Sequence, residues 1–140
     1  MSLDAQREVL FGAIKNELPG LQPGLPIQFE NQKFTQPRGA AWVSVSIAPG
    51  ISRRKEISSS RGFYHFGVVN VTVLVPEDQG TKQMWDIASS VFSILADRDF
   101  SHESGKITTY GVQRRNRGLA NGFYVLNVLC EYRHETHGVS

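Results

Sequence analysis

Four histidines, one cysteine and a balanced set of charged side chains are the groups in this 140-residue chain able to bind a metal or attack a substrate. His134 and His137 stand three apart beside Glu131 and Glu135. On a helix that spacing would resemble a pair of metal ligands. Here the segment runs on from a strand pattern into the C-terminal tail, so an exposed polar tail is expected and no metal site. Cys130 has no helix start or cation beside it on its own face, so its thiol reads as a small core hydrophobe and not as a nucleophile. No Gly-x-Ser-x-Gly elbow and no glycine-rich phosphate loop occurs. Glu77-Asp78 and Asp97/Asp99 fall in turn-like sequence and read as solvated carboxylates. No catalytic, metal or cofactor set emerges, and the chain reads as a non-enzyme.

Two basic clusters remain, Arg53-Arg54-Lys55 and Arg114-Arg115-Arg117. They hold 6 of the 15 basic residues, so a net charge of only +2 hides local concentration. Both are expected on hairpin loops. Such loops can contact a phosphate backbone or dock on an acidic protein surface. Neither cluster has aromatics interleaved for base stacking, which disfavours specific single-strand binding.

The elements that would carry these groups follow from periodicity. Residues 3–18 place Leu3, Arg7, Leu10, Phe11, Ile14 and Leu18 on one helical face, and Pro19-Gly20 is expected to stop the helix. A short strand is expected at 27–31, then a turn region with Pro37 and Gly39. Residues 41–48 alternate, with Val43, Val45 and Ile47 on one side and Ser44 and Ser46 on the other. Trp42 lies on the serine side, so that face is expected to be partly covered. Pro49-Gly50 should break this strand. Residues 61–75 give the strongest strand signal, β-branched and apolar on both faces. A second helix is expected over 81–96, with Met84, Ile87, Ala88, Val91, Ile94 and Leu95 inward and Trp85 and Phe92 widening that stripe. Residues 97–105 read as a polar loop, and 106–113 and 122–134 as two strands. The order α-β-β-β-α-β-β predicts an α+β fold: a mostly antiparallel sheet built from hairpins, with two helices packed against it.

Composition bounds the class. The length fits one domain over 1–140. One cysteine rules out a disulfide-built scaffold. The first residues alternate in charge and lack an apolar signal core, and no run approaches the ~18 apolar residues of a membrane helix. A soluble protein made in a reducing cytosol is expected, with no membrane partner.

One stretch carries a resemblance. Glu30-Asn31-Gln32-Lys33-Phe34-Thr35-Gln36-Pro37-Arg38-Gly39, followed by a tryptophan-containing strand, resembles a recurring element of small phage tail proteins: Asn31, Phe34 three on, Pro37 three further, then a strand. A strand with Gly62 and Gly67, a Val-Pro turn with Gly80, an amphipathic helix and an aromatic-rich last strand ending Cys130-Glu131-Tyr132 are similar too. From about Leu3 to Tyr132 the chain looks like the tail terminator (minor tail protein U-like, tail completion) family of long-tailed bacteriophages. The resemblance implies a non-catalytic virion protein. It would form a ring of itself, usually a hexamer, at the head-proximal end of the tail. That ring would stop polymerisation of the tail tube protein and offer the surface for the head-side connector. Before assembly it would reside in the host bacterial cytoplasm. Asn31, Phe34 and Pro37 would shape a structural turn. The basic clusters would lie at interfaces or in the lumen, where they could touch phage DNA non-specifically. The competing expectation is a small non-enzymatic binding module using the same basic clusters on nucleic acid or an acidic protein.

Overall fold

Valines at alternate positions build the centre of the molecule. In the computed structural model, which describes residues 2–30, 35, 37, 39–54, 62–79, 81–103 and 105–136, they lie on the long strands β2 (Trp42–Arg54) and β3 (Phe63–Pro76). Helix α1 (Ser2–Leu21) and a short strand β1 (Ile27–Phe29) come before them. Helix α2 (Lys82–Leu95), β4 (Asp99–His102), β5 (Gly105–Ala120) and β6 (Phe123–Thr136) follow. The six strands form one sheet in the order β1-β2-β3-β6-β5-β4. All neighbours are antiparallel except β1 and β2. This is the α+β arrangement the element order predicts.

Register puts one apolar face together. Val43, Val45 and Ile47 lie opposite Val73, Val71 and Val69, and these in turn lie opposite Leu126, Val128 and Cys130. Residues paired across neighbouring strands share a face. Both helices cover this one: Leu10, Ile14 and Leu18 of α1 and Met84, Ile87, Val91, Ile94 and Leu95 of α2 are buried with it. Each such aliphatic contributes about 2 kcal/mol relative to an exposed position. On the other face Ser44, Thr72, Val68, Leu74 and Leu129 are half-buried, and Trp42 is buried. The expected partial cover of the serine side is therefore present.

Four expectations are corrected. Residues 114–121 do not form a basic hairpin loop; β5 continues through Arg114, Arg115 and Arg117 to Ala120, and the turn is only Asn121-Gly122. Both turn residues have positive φ, 51° and 82°, the conformation a two-residue hairpin needs and that Asn-Gly supplies. Pro49-Gly50 does not end β2: the strand passes through a register shift between Pro49 and Ser52 and pairs with β3 as far as Arg54. Among the described residues β1 covers β2 only at Val43 to Val45, so no described strand pairs with the outer side of Pro49, where its missing N–H is tolerated. Residues 99–102, read as loop, pair with 105–108. Helix α1 runs through Pro19 to Leu21. Buried Leu18 holds this end on the core, and its carbonyl accepts the N–H of Gln22 at 2.7 Å, so the turn closes despite the proline.

α2 links β3 to β4 across the two intervening strands β6 and β5. Thr81 occupies its N-cap by position without a side-chain hydrogen bond. At the far end Arg98 donates to the Ile94 carbonyl at 2.8 Å and pairs with Glu17 of α1 at 3.0 Å. The same cation thus satisfies an end carbonyl of α2 and ties the two helices together. Among the described residues no helix is long and apolar enough to cross a membrane.

Candidate interaction surfaces

Among the described residues, the second half of β5 is an uncovered sheet edge. β4 pairs only with residues 105–108, and the main chain of Asp97 and Arg98 continues this cover to Tyr110. Beyond Tyr110 no described strand lies outside β5, whereas its inner side stays paired to β6 as far as Ala120. Register shifts between Thr109 and Val112 and between Asn116 and Gly118 leave Val112 to Asn116 as a regular stretch. Arg114, Arg115 and Arg117 are all exposed along it. Arg114 lies opposite Val128 and so leans to the helix side, where its guanidinium stands 5.5 Å from the ring centre of Phe92. Arg115 lies opposite Asn127, on the other face.

Phe92 and Trp85 do not widen the buried stripe of α2. They are 41% and 42% exposed, two turns apart on one flank. Leu119 of β5 is 57% exposed. The signal was in the spacing: neither aromatic belongs to the Met84, Ile87, Ala88, Val91, Ile94, Leu95 series. Large apolar side chains and arginine together are the composition of protein interfaces.

The other basic cluster lies elsewhere. Arg53 and Arg54 are strand residues of β2, opposite Tyr64 and Phe63; Lys55 lies outside the described residues. Arg54 and Arg114 register with β3 eight residues apart, at Phe63 and, through Val128, at Val71. With the strand and inter-strand spacings this separates them by about 30 Å, so the structure does not join the two clusters into one patch. Asn31 and Phe34 lie outside the described residues, and Pro37 is half-buried in irregular chain.

His134 is fully buried, not part of an exposed tail. It follows the inward positions Leu126, Val128, Cys130 and Tyr132 of β6, so strand alternation alone places it inside. Gln6 of α1 donates from Nε2 to His134 Nδ1 at 3.3 Å, and the Tyr132 hydroxyl donates to Gln6 Oε1. An accepting Nδ1 means a neutral ring protonated at Nε2. Burial, and then the charges of His65 and His102, push the His134 pKa down to about 4. Burial pushes the Tyr132 phenol up to about 12. His65 stands next to His134, ring centres 5.9 Å apart, and shares hydrogen bonds with Ser52 and Thr136 at 2.7 and 3.3 Å. His102 meets Glu8 at 3.0 Å. The contacts of Gln6 and Glu8 fasten α1 to the sheet. Among the described residues no three His, Cys, Asp or Glu side chains are close enough to hold a metal ion. His137 lies outside the described residues.

Cys130 is buried, and burial with the nearby Asp97 and Glu131 charges pushes its thiol up to about 11. A thiol reagent at about pH 8 should leave the folded protein unlabelled and react only after denaturation; rapid stoichiometric labelling of the native protein would contradict the buried placement.

Grooves lie at the periphery of the described residues. One of about 780 Å³ runs between α1 and the edge strand β1, lined by Arg7, Phe11, Lys15 and Phe29. Arg7 is paired with Glu30 at 3.1 Å there, and Phe11 packs on Phe29 with ring centres 5.1 Å apart. Another, about 800 Å³, lies over the β2 irregularity and is lined by Pro49, Phe66, Val68 and Tyr110.

Comparison with known proteins adds to this surface chemistry. Residues 10–98 match the family described as phage tail terminator protein. No curated protein matches the chain. One solved structure with no functional description is 15% identical and superposes with a TM-score of 0.78, covering 96% of both chains. A chain from the virion of a native gene transfer agent particle is 13% identical, with a TM-score of 0.64 over 94% of both chains. At these identities the two structures speak for the fold alone.

Proposed function

The chain belongs to the phage tail terminator family, a family of structural tail proteins without enzymatic activity, and from that membership we propose that it forms a ring, most simply a hexamer, capping the head-proximal end of the tail tube. In that position it stops addition of further tube subunits and offers its other face to the head-side connector. Family membership is the observation that carries the reading.

The fold supplies what such a role needs. A closed ring is built from heterologous contacts, in which two different patches of one subunit meet. The subunit has unlike peripheral patches away from the β5 edge, the groove between α1 and β1 and the groove over the β2 irregularity. A stop signal for a polymer further requires that the exposed end not repeat the tube's own docking surface.

Negative-stain imaging of the pure protein, with and without tail tubes, tests the proposal. Rings, or tubes capped at fixed length, are expected. A protein that stays monomeric and leaves tube ends free rules the proposal out. Changing Arg114, Arg115 and Arg117 together to serine should leave the folded spectrum unchanged, because all three side chains are exposed, and should lower the yield of infectious particles. Wild-type yield from that variant would remove these residues from the assembly.

A further inference from the structure

We propose that the edge of β5 that no described strand covers, residues 111–120, with Phe92 of α2 beside it, is a docking slot that takes an extended acidic segment of a different protein as an added strand. The slot is the continuation of the line that β4 occupies over residues 105–108. It is about 30 Å long at the usual rise per residue. Along an edge, every second residue turns its N–H and C=O outward, and an extended segment satisfies them while its side chains are read separately.

Charge selects the occupant. Arg114 stands on the helix side and Arg115 on the other face, with Arg117 at the second irregularity. An incoming strand therefore meets a guanidinium on either face and is favoured when it carries carboxylates. A second copy presenting the same edge is disfavoured, since antiparallel pairing would set arginine against arginine. The other end of the sheet, β1, is three uncharged residues long and offers no acidic strand.

Edge protection alone accounts for less of what is seen. Charges and bulges do discourage edge pairing, and lysine is the residue usually used. Residues 111–120 contain three arginines and no lysine. Protection also gives no reason to leave Phe92, whose ring faces Arg114, two-fifths exposed, with Trp85 exposed on the same flank of α2. Aromatic anchors next to arginines are what an interface core uses.

The test uses the whole protein and two synthetic peptides of about ten residues, one alternating Glu and Val, the other Lys and Val. The readout is amide hydrogen exchange. The acidic peptide is expected to slow exchange across residues 112–116 by about tenfold or more, and the lysine peptide to leave it unchanged. In the variant Arg114→Glu/Arg115→Glu/Arg117→Glu the preference should swap, and Phe92→Ser should weaken acidic-peptide binding about tenfold. The swap separates docking from mere loss of charge and shows that the variant folds.

No protection by the acidic peptide, or equal protection by both, overturns the inference. So does protection by duplex DNA at physiological salt with none by the peptide, which would assign the arginines to phosphate contact. Protection that rises with protein concentration alone would assign the edge to a second copy and overturn it too. The inference stands apart from the ring: a monomer that binds the acidic peptide would end the ring proposal and leave the slot intact.

Discussion

A Gly67→Ala variant is expected to lose about 3 kcal/mol of unfolding free energy in denaturant titration, from a single added methyl group. Gly67 of β3 lies directly opposite Tyr132 of β6. The Tyr132 ring leans across the glycine, and a Cβ there would strike the phenolic oxygen and meet Cζ at 2.6 Å and Cε2 at 2.8 Å. Displacing the ring disturbs a buried, hydrogen-bonded side chain. It is 1% exposed, and its hydroxyl is spent on Gln6 of α1. Moving the ring aside costs about 1–3 kcal/mol of overpacking, and breaking the interior hydrogen bond adds about 1 kcal/mol. A double-mutant cycle isolates the clash. Tyr132→Leu is destabilising alone, through a cavity and an unpaired Gln6. In that background Gly67→Ala should cost less than about 1 kcal/mol, because the ring it strikes is gone. Additive costs would mean that the glycine serves the backbone and not the tyrosine.

The same pair shows how far the sequence could be read. Alternation alone puts Tyr132 inward with Cys130, Val128 and Leu126, as found. It also marks Gly67 as a strand residue without a side chain. Only register brings the two opposite each other, and register is a long-range property. The helices and the long strands were legible because their apolar spacing is strong and local. β4 was not: Asp99, Ser101 and His102 carry no strand pattern, and the segment is held by pairing to residues 105–108. The arginines were visible as a cluster, but their setting was misread. A run of charges looks like a loop, yet an exposed edge strand accepts it as readily, since one side of its backbone and much of its side-chain surface stay in water. Helical spacing places Trp85 and Phe92 at the margin of the apolar stripe of α2, as a widening of it. Phe92 is exposed instead, on the flank of α2 that meets Arg114 at the bare part of the β5 edge, and Trp85 is exposed two turns away on that flank. The candidate surface is thus a product of topology: β4 is too short to cover β5.

His134 was misread for a related reason, and its burial yields the second large effect. In the folded protein its ring is neutral and accepts a hydrogen bond from Gln6, with the pKa pushed from 6.5 down to about 4, first by burial and then by His65 and His102. The unfolded chain therefore binds a proton between about pH 6.5 and 4 that the folded chain refuses. Stability contributed by the neutral ring is complete above pH 6.5 and is lost as pH falls toward 4. With 1.36 kcal/mol per pKa unit the loss reaches about 3 kcal/mol at the acid end. His65 shifts in the same direction through burial and adds to the slope. His134→Gln keeps an oxygen for Gln6 to donate to and removes the titration. Denaturant midpoints of the two proteins should differ little at pH 7.5 and diverge steadily below 6.5, the variant losing stability less steeply by up to one proton. Parallel curves across that window would mean that His134 titrates freely in the folded state, which a fully buried ring between Gln6, Tyr132 and His65 does not permit. Because Gln6 sits on α1, the first contact that acid weakens is the one fastening this helix to β6. Acid should therefore speed amide exchange in the first turns of α1 before it reaches the valines at the centre of the sheet.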